Sequence, residues 1–451
     1  MARVEAAMQD VPTESQLPVM RIFIYFAVAW LVLFLTLVGY VDFDPANHQL
    51  IQISDYLMTF HTAGYALTHG QLASLYPPEG AVQFAGMPFD RLAHTVLPEM
   101  PAPSVAEFMY MPLAAAVFAP FSHLPLNISL FCWQVVSLFC LWASMVALVA
   151  APERGSSSRS AMAFKSSLFS LFLLPACVTI WIGQVGLVFG VLPLSLGYFL
   201  LRRKYPTGAG LVWALCFLKP QFLVPLALPM LCELFRARFK LALGFAAGVL
   251  LLASTSLALF SPRLNLEWLR CLEVSDHVYS DLQSGVSRQI ATSLPRTLIL
   301  MLSPESQLVF KPLIYGLAAL IFFSAVFLVW RLCRVRMKND SSIVSLSLLL
   351  GVFMTPLVVP HMFLYDFCLF AVSAPIAFNE LDGLGCRLEI KRLVIAGWLL
   401  IDIYTIVVMA AAKMAVPLPF VILLLVLFSL MYKCVLLTVP DSSLESVPTS
   451  P

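Results

Sequence analysis

TGAGLVWALCFLKPQFLVPLALPMLCELF, residues 207–235, carries one charge, Lys219, before Glu233. It is flanked by Arg202, Arg203 and Lys204 on one side and by Arg236, Arg238 and Lys240 on the other. A helix crossing a bilayer needs about 20 mostly apolar residues at roughly 1.5 Å each. This stretch is long enough to leave a basic surface and return to it, with Lys219-Pro220-Gln221 at the far turn. Each arm is then only about 13–15 residues, roughly 20 Å of helix. The stretch therefore reads as a broken hairpin within a larger membrane protein.

Composition agrees. Of 451 residues, 60% are hydrophobic and 12% charged, against about 25% charged in soluble domains. So few charges cannot cover a water-exposed surface, which excludes a soluble enzyme, a DNA-binding module and a disordered chain. The net charge of +2 is uninformative by itself. The ten cysteines are scattered, mostly in or beside apolar runs, and form no CxxC pair or Cys/His cluster. That pattern predicts packing residues, not a disulfide framework or a zinc site.

Working outward from the hairpin, apolar runs at 22–41, 128–150, 164–181, 185–201, 241–260, 309–330, 342–359, 362–378, 393–412 and 416–437 predict further spans. The first is too long for a signal-peptide core and lacks a small-residue cleavage pattern, so it reads as an uncleaved anchor. Basic residues concentrate in connections that the positive-inside rule places in the cytoplasm. The long loops 42–106 and 261–308 hold only Arg91, Arg263, Arg270, Arg288 and Arg296 and face outward. Segment 107–121 is short and contains Pro112 and Pro120. A full crossing there would invert every later loop, so it is expected to be re-entrant or shallow. The prediction is an all-α polytopic membrane protein with about 11–13 transmembrane helices. Residues 1–19 and 439–451 form cytoplasmic tails around a membrane domain at 20–438.

This topology gathers the unusual polar residues on one face. The first loop holds Asp55 and Tyr56, Gln184 and Lys219 lie at outer turns, His361 lies at an outer span end, and loop 261–308 supplies Arg288 and Arg296. Each also has a plainer reading. Asp55 suits a solvated acid or a helix N-cap, Lys219 a snorkelling side chain, Gln184 a helix–helix hydrogen bond, and His361 a helix C-terminal cation. An ionisable residue inside an apolar run is nonetheless a functional candidate by default. Asp402 is expected to hydrogen-bond a buried Tyr or Ser, and the role of Asp366 stays open.

The ordered series Asp55-Tyr56, Phe60, Ala63-Gly64, Gly70, Leu75-Tyr76-Pro77 and Tyr110-Met111-Pro112-Leu113 resembles the opening of glycosyltransferase family 87. Gly183-Gln184-Val185, Leu218-Lys219-Pro220-Gln221, Thr355-Pro356 and His361 follow in that family's order. It departs from the family pattern in having Tyr-Met-Pro for Tyr-Pro-Pro and a single His near the Thr-Pro motif. The resemblance implies a GT-C-type fold whose outer loops form the site. It also implies a polyprenyl-phosphate-linked sugar donor, often mannose, and inversion at the anomeric carbon. The acceptor would be a glycolipid or glycan hydroxyl at the outer face of the cell membrane. In that scheme Asp55 is the base, Lys219 a phosphate contact, and His361 a ligand for phosphate or sugar. Gln184 and Tyr56 complete the substrate site, and loop chemistry adds Arg288 or Arg296 as a phosphate clamp. No cofactor, metal or nucleic acid is expected; the partners are the donor, the acceptor and membrane lipids. The rival reading is a multi-pass transporter or lipid flippase, although the break at Lys219-Pro220 has no counterpart in the second half.

Overall fold

A computed structural model describes residues 54–151, 170–280, 291–334, 340–379, 387–410 and 417–437. The expected anchor at 22–41, both tails and Arg288 lie outside the described residues. Within them every regular element is helical, and a lone bridge joins Ala291 to Phe363.

After a π turn at Tyr56–His61 come α1 (Thr62–Thr68), α2 (Pro88–Val96), α3 (Pro112–Phe118), α4 (Leu126–Ala150) and α5 (Leu174–Trp181). A second π turn, Leu187–Val191, leads into α6 (Leu192–Arg202), followed by α7 (Pro206–Trp213), α8 (Val224–Phe235), α9 (Lys240–Leu259) and α10 (Pro262–Ser280). Then follow α11 (Leu294–Ile299), α12 (Pro304–Arg334), α13 (Asp340–Val358), α14 (Ser373–Asn379), α15 (Arg387–Ala410) and α16 (Leu418–Leu437). Five described helices are long and apolar enough to cross a membrane: α4, α9, α12, the stretch Leu388–Met409 of α15, and α16. The protein is an all-α, multi-pass membrane protein.

Of the other described apolar runs, 342–359 forms the continuous helix α13, whereas 207–235 and 362–378 are broken. The expected hairpin at 207–235 is α7, a 3-10 turn Ala214–Leu218, a second 3-10 turn Pro220–Leu223, and α8. Lys219 sits between the two turns at φ −138°, ψ 83°. A residue preceding proline is sterically driven out of the α region, and Pro220 has no N–H to continue the helix. Segment 107–121 yields only the seven-residue α3, roughly 10 Å long and too short to span. The run 362–378, read as one span, is instead a 3-10 element at Leu364–Val372 followed by α14.

Among the described residues two large hydrophobic cores result, with a small third cluster of Tyr279, Ala291, Leu300 and Phe363. The larger unites α4–α8, α12, α13, α15 and α16 around Trp213, Phe353, Phe367 and Phe370. The smaller packs Tyr56, Phe60, Phe108 and Phe118 against Trp133. Leu218 belongs to the smaller core and Phe222 to the larger, so the Lys219 break lies at the seam. Asp402, expected to bond a Tyr or Ser, instead accepts the Leu174 backbone N–H at 2.8 Å. It caps the first turn of α5, where main-chain donors have no partner within the helix.

Candidate active site

Asp55 is the N-cap residue of the first π turn, but its side chain makes no capping bond. The carboxylate turns toward the loop after α5, where Gln184 Nε2 donates to Asp55 Oδ2 at 2.8 Å. The loop is held in place by glycine. Gly183 has φ +74°, and a Cβ there would lie 2.3 Å from Tyr56 Cβ. Only glycine meets both the left-handed backbone and the close approach. Trp133 Nε1 donates to Gly183 O at 2.8 Å, and Tyr56 N donates to Ile182 O at 3.1 Å. The turn bearing Gln184 and the segment bearing Asp55 are thus bolted together.

Lys219 donates to Gln184 Oε1 at 3.2 Å and pairs with Asp366 Oδ1 at 2.8 Å. Lys219 and Asp366 are 1% and 0% exposed. A buried charge is tolerated when paired and hydrogen-bonded, and Asp366 Oδ2 also accepts the Phe363 backbone N–H at 3.0 Å. The ammonium lies 5.1 Å from the Tyr365 ring centroid. Glu107, Tyr110 and Tyr365 interact electrostatically with this same group of charges. Burial pushes the Asp55 carboxyl above its ordinary range, while the Gln184 hydrogen bond and the Lys219 charge pull the other way. Glu107 is pushed up to about 8, by burial first and by the charge of Asp55 second.

A second constellation gathers around Asp276. His361 Nε2 lies 3.3 Å from Asp276 Oδ1, and Lys311 Nζ donates to Oδ2 at 2.6 Å. These contacts, led by the His361 hydrogen bond, hold the Asp276 carboxyl below the usual carboxylate range. Arg296 lies beneath, 2% exposed, with its guanidinium 5.7 Å from the Tyr279 ring centroid. Its buried Nη1 has no hydrogen-bond partner among the described residues. Burial lowers its pKa to about 10, so it remains charged at neutral pH. The side chains around Asp276 are partly open: Asp276 is 43% exposed, Lys311 26% and His361 25%.

The two groups meet through residues 361–366. Thr292 N donates to Met362 O at 2.9 Å, tying this strip to the start of α11. Phe363 packs against both Tyr365 and Tyr279, at 5.5 and 5.4 Å between ring centroids. His361 and Asp366 are five residues apart, a backbone reach of at most about 18 Å.

The structure thus links Asp55, Gln184 and Lys219 in one continuous chain and places His361 and Arg296 in a neighbouring one. Tyr56 stands behind the first: it is 0% exposed, its ring stacks on Trp133, and its hydroxyl bonds Ser129 at 2.9 Å. Asp366, Asp276, Lys311 and Glu107 were not singled out from the sequence as site residues. The available signal was an acid inside the 362–378 apolar run and a lysine at the head of the 309–330 run. Among the described residues, no three His, Cys, Asp or Glu side chains converge as a metal site.

Comparison with known proteins decides the class. The profile of glycosyltransferase family 87 matches residues 108–360, more than half of the chain. The chain belongs to glycosyltransferase family 87. It is therefore a membrane glycosyltransferase, and the transporter reading falls away. No curated protein and no solved structure matches it. The family 87 match contains Gln184, Lys219, Asp276, Arg296 and Lys311 but stops short of His361 and Asp366 and begins after Asp55. Both carboxylates that end the first chain come from outside the matched region.

Proposed function

We propose that this family 87 enzyme transfers a hexose, in the first instance mannose, from a polyprenyl-phosphate donor to a hydroxyl of a glycolipid or glycan. The reaction takes place on the extracytoplasmic face of the cell membrane. The observation that carries the reading is the pairing of a half-buried carboxylate held by Gln184, Asp55, with a nearby cationic group whose deepest member, Arg296, has a donor unused among the described residues.

The chemistry asks for both. The acceptor hydroxyl gives its proton to Asp55 as its oxygen bonds to the anomeric carbon. The bond from that carbon to the phosphate oxygen breaks, and the phosphate leaves with the electron pair. Attack opposite the leaving group inverts the centre. Negative charge grows on the phosphate, where preorganised donors stabilise it most. Arg296, Lys311 and His361 supply them, with Arg296 able to grip two oxygens. The membrane holds the donor's lipid tail, so no nucleotide-binding domain is needed.

The test is transfer of radiolabelled mannose from polyprenyl-phosphate mannose into the lipid extract of the native membrane. Asp55→Asn is expected to lower the rate by about 10²–10⁴-fold with the protein still monodisperse and membrane-inserted. Undiminished transfer by that variant would remove Asp55 as the base.

A further inference from the structure

Lys219 is a weak candidate for a direct phosphate ligand on geometry alone. An ammonium has three donors and no acceptor. One reaches Asp366 at 2.8 Å, one reaches Gln184 at 3.2 Å, and the cation lies against the Tyr365 ring at 5.1 Å. Its charge is matched and its side chain is 1% exposed. What it does control is the direction of an amide. A glutamine side chain can present oxygen or nitrogen to a neighbour. Lys219 and the Val185 backbone N–H both donate to Oε1, at 3.2 and 3.3 Å, so the oxygen is committed and Nε2 faces Asp55. Without Lys219 only the neutral Val185 N–H at 3.3 Å opposes a turn of the amide that would bring its oxygen against the carboxylate and repel it.

We propose that Asp366 and Lys219 form a positioning pair whose purpose is to orient Gln184, so that its N–H holds the Asp55 carboxylate in place as the base. This rests on Asp55 being the base, and it gives Asp366 a role. Asp366 fixes the ammonium, the ammonium fixes the amide, and the amide fixes the carboxylate. Each member comes from a different segment: the 3-10 element at Leu364–Val372, the proline break at 219–220, the Gly183 turn and the opening of the first π turn. The relay thereby converts the mutual packing of four segments into the direction of one carboxylate. Gly186 lets the segment after Gln184 pack close to the 3-10 element that carries Asp366, since a Cβ there would lie 2.9 Å from Cys368 Sγ.

Two variants of the full-length enzyme test it. Gln184→Leu removes the relay's last step and leaves the ion pair intact. The double variant Lys219→Met/Asp366→Leu removes the pair without leaving a buried charge unmatched, a replacement that is often neutral for stability. Transfer from radiolabelled polyprenyl-phosphate mannose is measured against pH. The groups acting on Asp55 are Gln184, Lys219, Asp366, Glu107, Tyr110 and Tyr365. The Gln184 bond and the Lys219 charge favour the ionised carboxylate. Losing the Gln184 bond raises the pH at which the base becomes active, whereas losing Lys219 together with Asp366 removes two charges that act on Asp55 in opposite directions.

Both variants are expected to lose about tenfold or more in kcat, with donor KM within about twofold of the parent, and Gln184→Leu is expected to move the acidic limb of the rate profile to higher pH. A raised donor KM at unchanged kcat in the double variant would make Lys219 a phosphate ligand and overturn the proposal. So would an unmoved acidic limb in Gln184→Leu, which decides the matter even if the double variant fails to fold. If Asp55→Asn is inactive while Gln184→Leu behaves as the parent, the relay falls and the base stands. If Asp55→Asn is fully active, the underlying reading falls first.

Discussion

Two polar groups a few residues apart along the 361–366 strip are built on opposite plans. In the chain from Asp55 through Gln184 and Lys219 to Asp366, the last three members are each at most 5% exposed and every link is a hydrogen bond or ion pair. Around Asp276 the carboxylate, lysine and histidine are partly open, and Arg296 beneath them keeps an unsatisfied buried nitrogen. The first is buried apart from the half-buried Asp55 at its end, and its members satisfy one another. Among the described residues, the second gathers Lys311, His361 and Arg296 around Asp276. In the proposed reaction this difference separates the group that must be aimed from the group that must remain able to receive a charged ligand.

The sharpest way to break the comparison is to unpair the buried chain. Asp366→Asn leaves the Lys219 ammonium buried without its counter-charge, which costs about 3–5 kcal/mol. Thermal unfolding in detergent should show a severe loss, whereas the same Asp→Asn change at Asp276 should not. Equal effects at the two sites would erase the distinction. Next in size is Arg296→Met. Losing a charge-assisted donor worth about 1.5–3 kcal/mol should raise donor KM by about tenfold or more, with the acidic limb of the rate profile unmoved.

A smaller effect is expected at Asp276 itself. Its pairs are half-exposed, so Asp276→Asn should change stability by about 1 kcal/mol or less and should improve donor binding by removing a competing acid. Its carboxyl is held below its unfolded value, so the stabilisation is present above about pH 4 and is lost as pH falls further. Asp276→Asn should flatten that acidic part of the stability profile, as read by thermal unfolding at stepped pH. Glu107 tests the opposite sign. With its pKa raised to about 8, the unfolded chain releases this proton at lower pH than the folded one. It therefore makes stability fall as pH rises from about 4.3 to about 8. Glu107→Gln should remove that slope and leave the acidic region alone.

These contrasts also show what the sequence could reveal. Long apolar runs announced α4, α9, α12, α15 and α16, because hydropathy reports directly on helices facing lipid. The break at Lys219 was legible from Pro220, whose geometry is local. Gln184 was legible from the ordered motif series. The pairing of Lys219 with Asp366 and that of Lys311 with Asp276 were not. In each case an ordinary pair of opposite charges meets through tertiary packing, and nothing in the separate segments encodes the partner. The 3-10 course of 364–372 was hidden for a related reason, since an apolar run reports burial and not the hydrogen-bond step of its helix. Asp402 was assigned the wrong kind of partner because main-chain donors at a helix start carry no side-chain signature.

That last contact reaches further than its own helix. Asp402 belongs to α15, near the far end of the chain, yet it anchors the first turn of α5, and α5 runs directly into Gly183 and Gln184. The C-terminal helices are in effect a backstop for the turn that carries Gln184, so shortening the protein from that end should loosen the proposed relay hundreds of positions earlier.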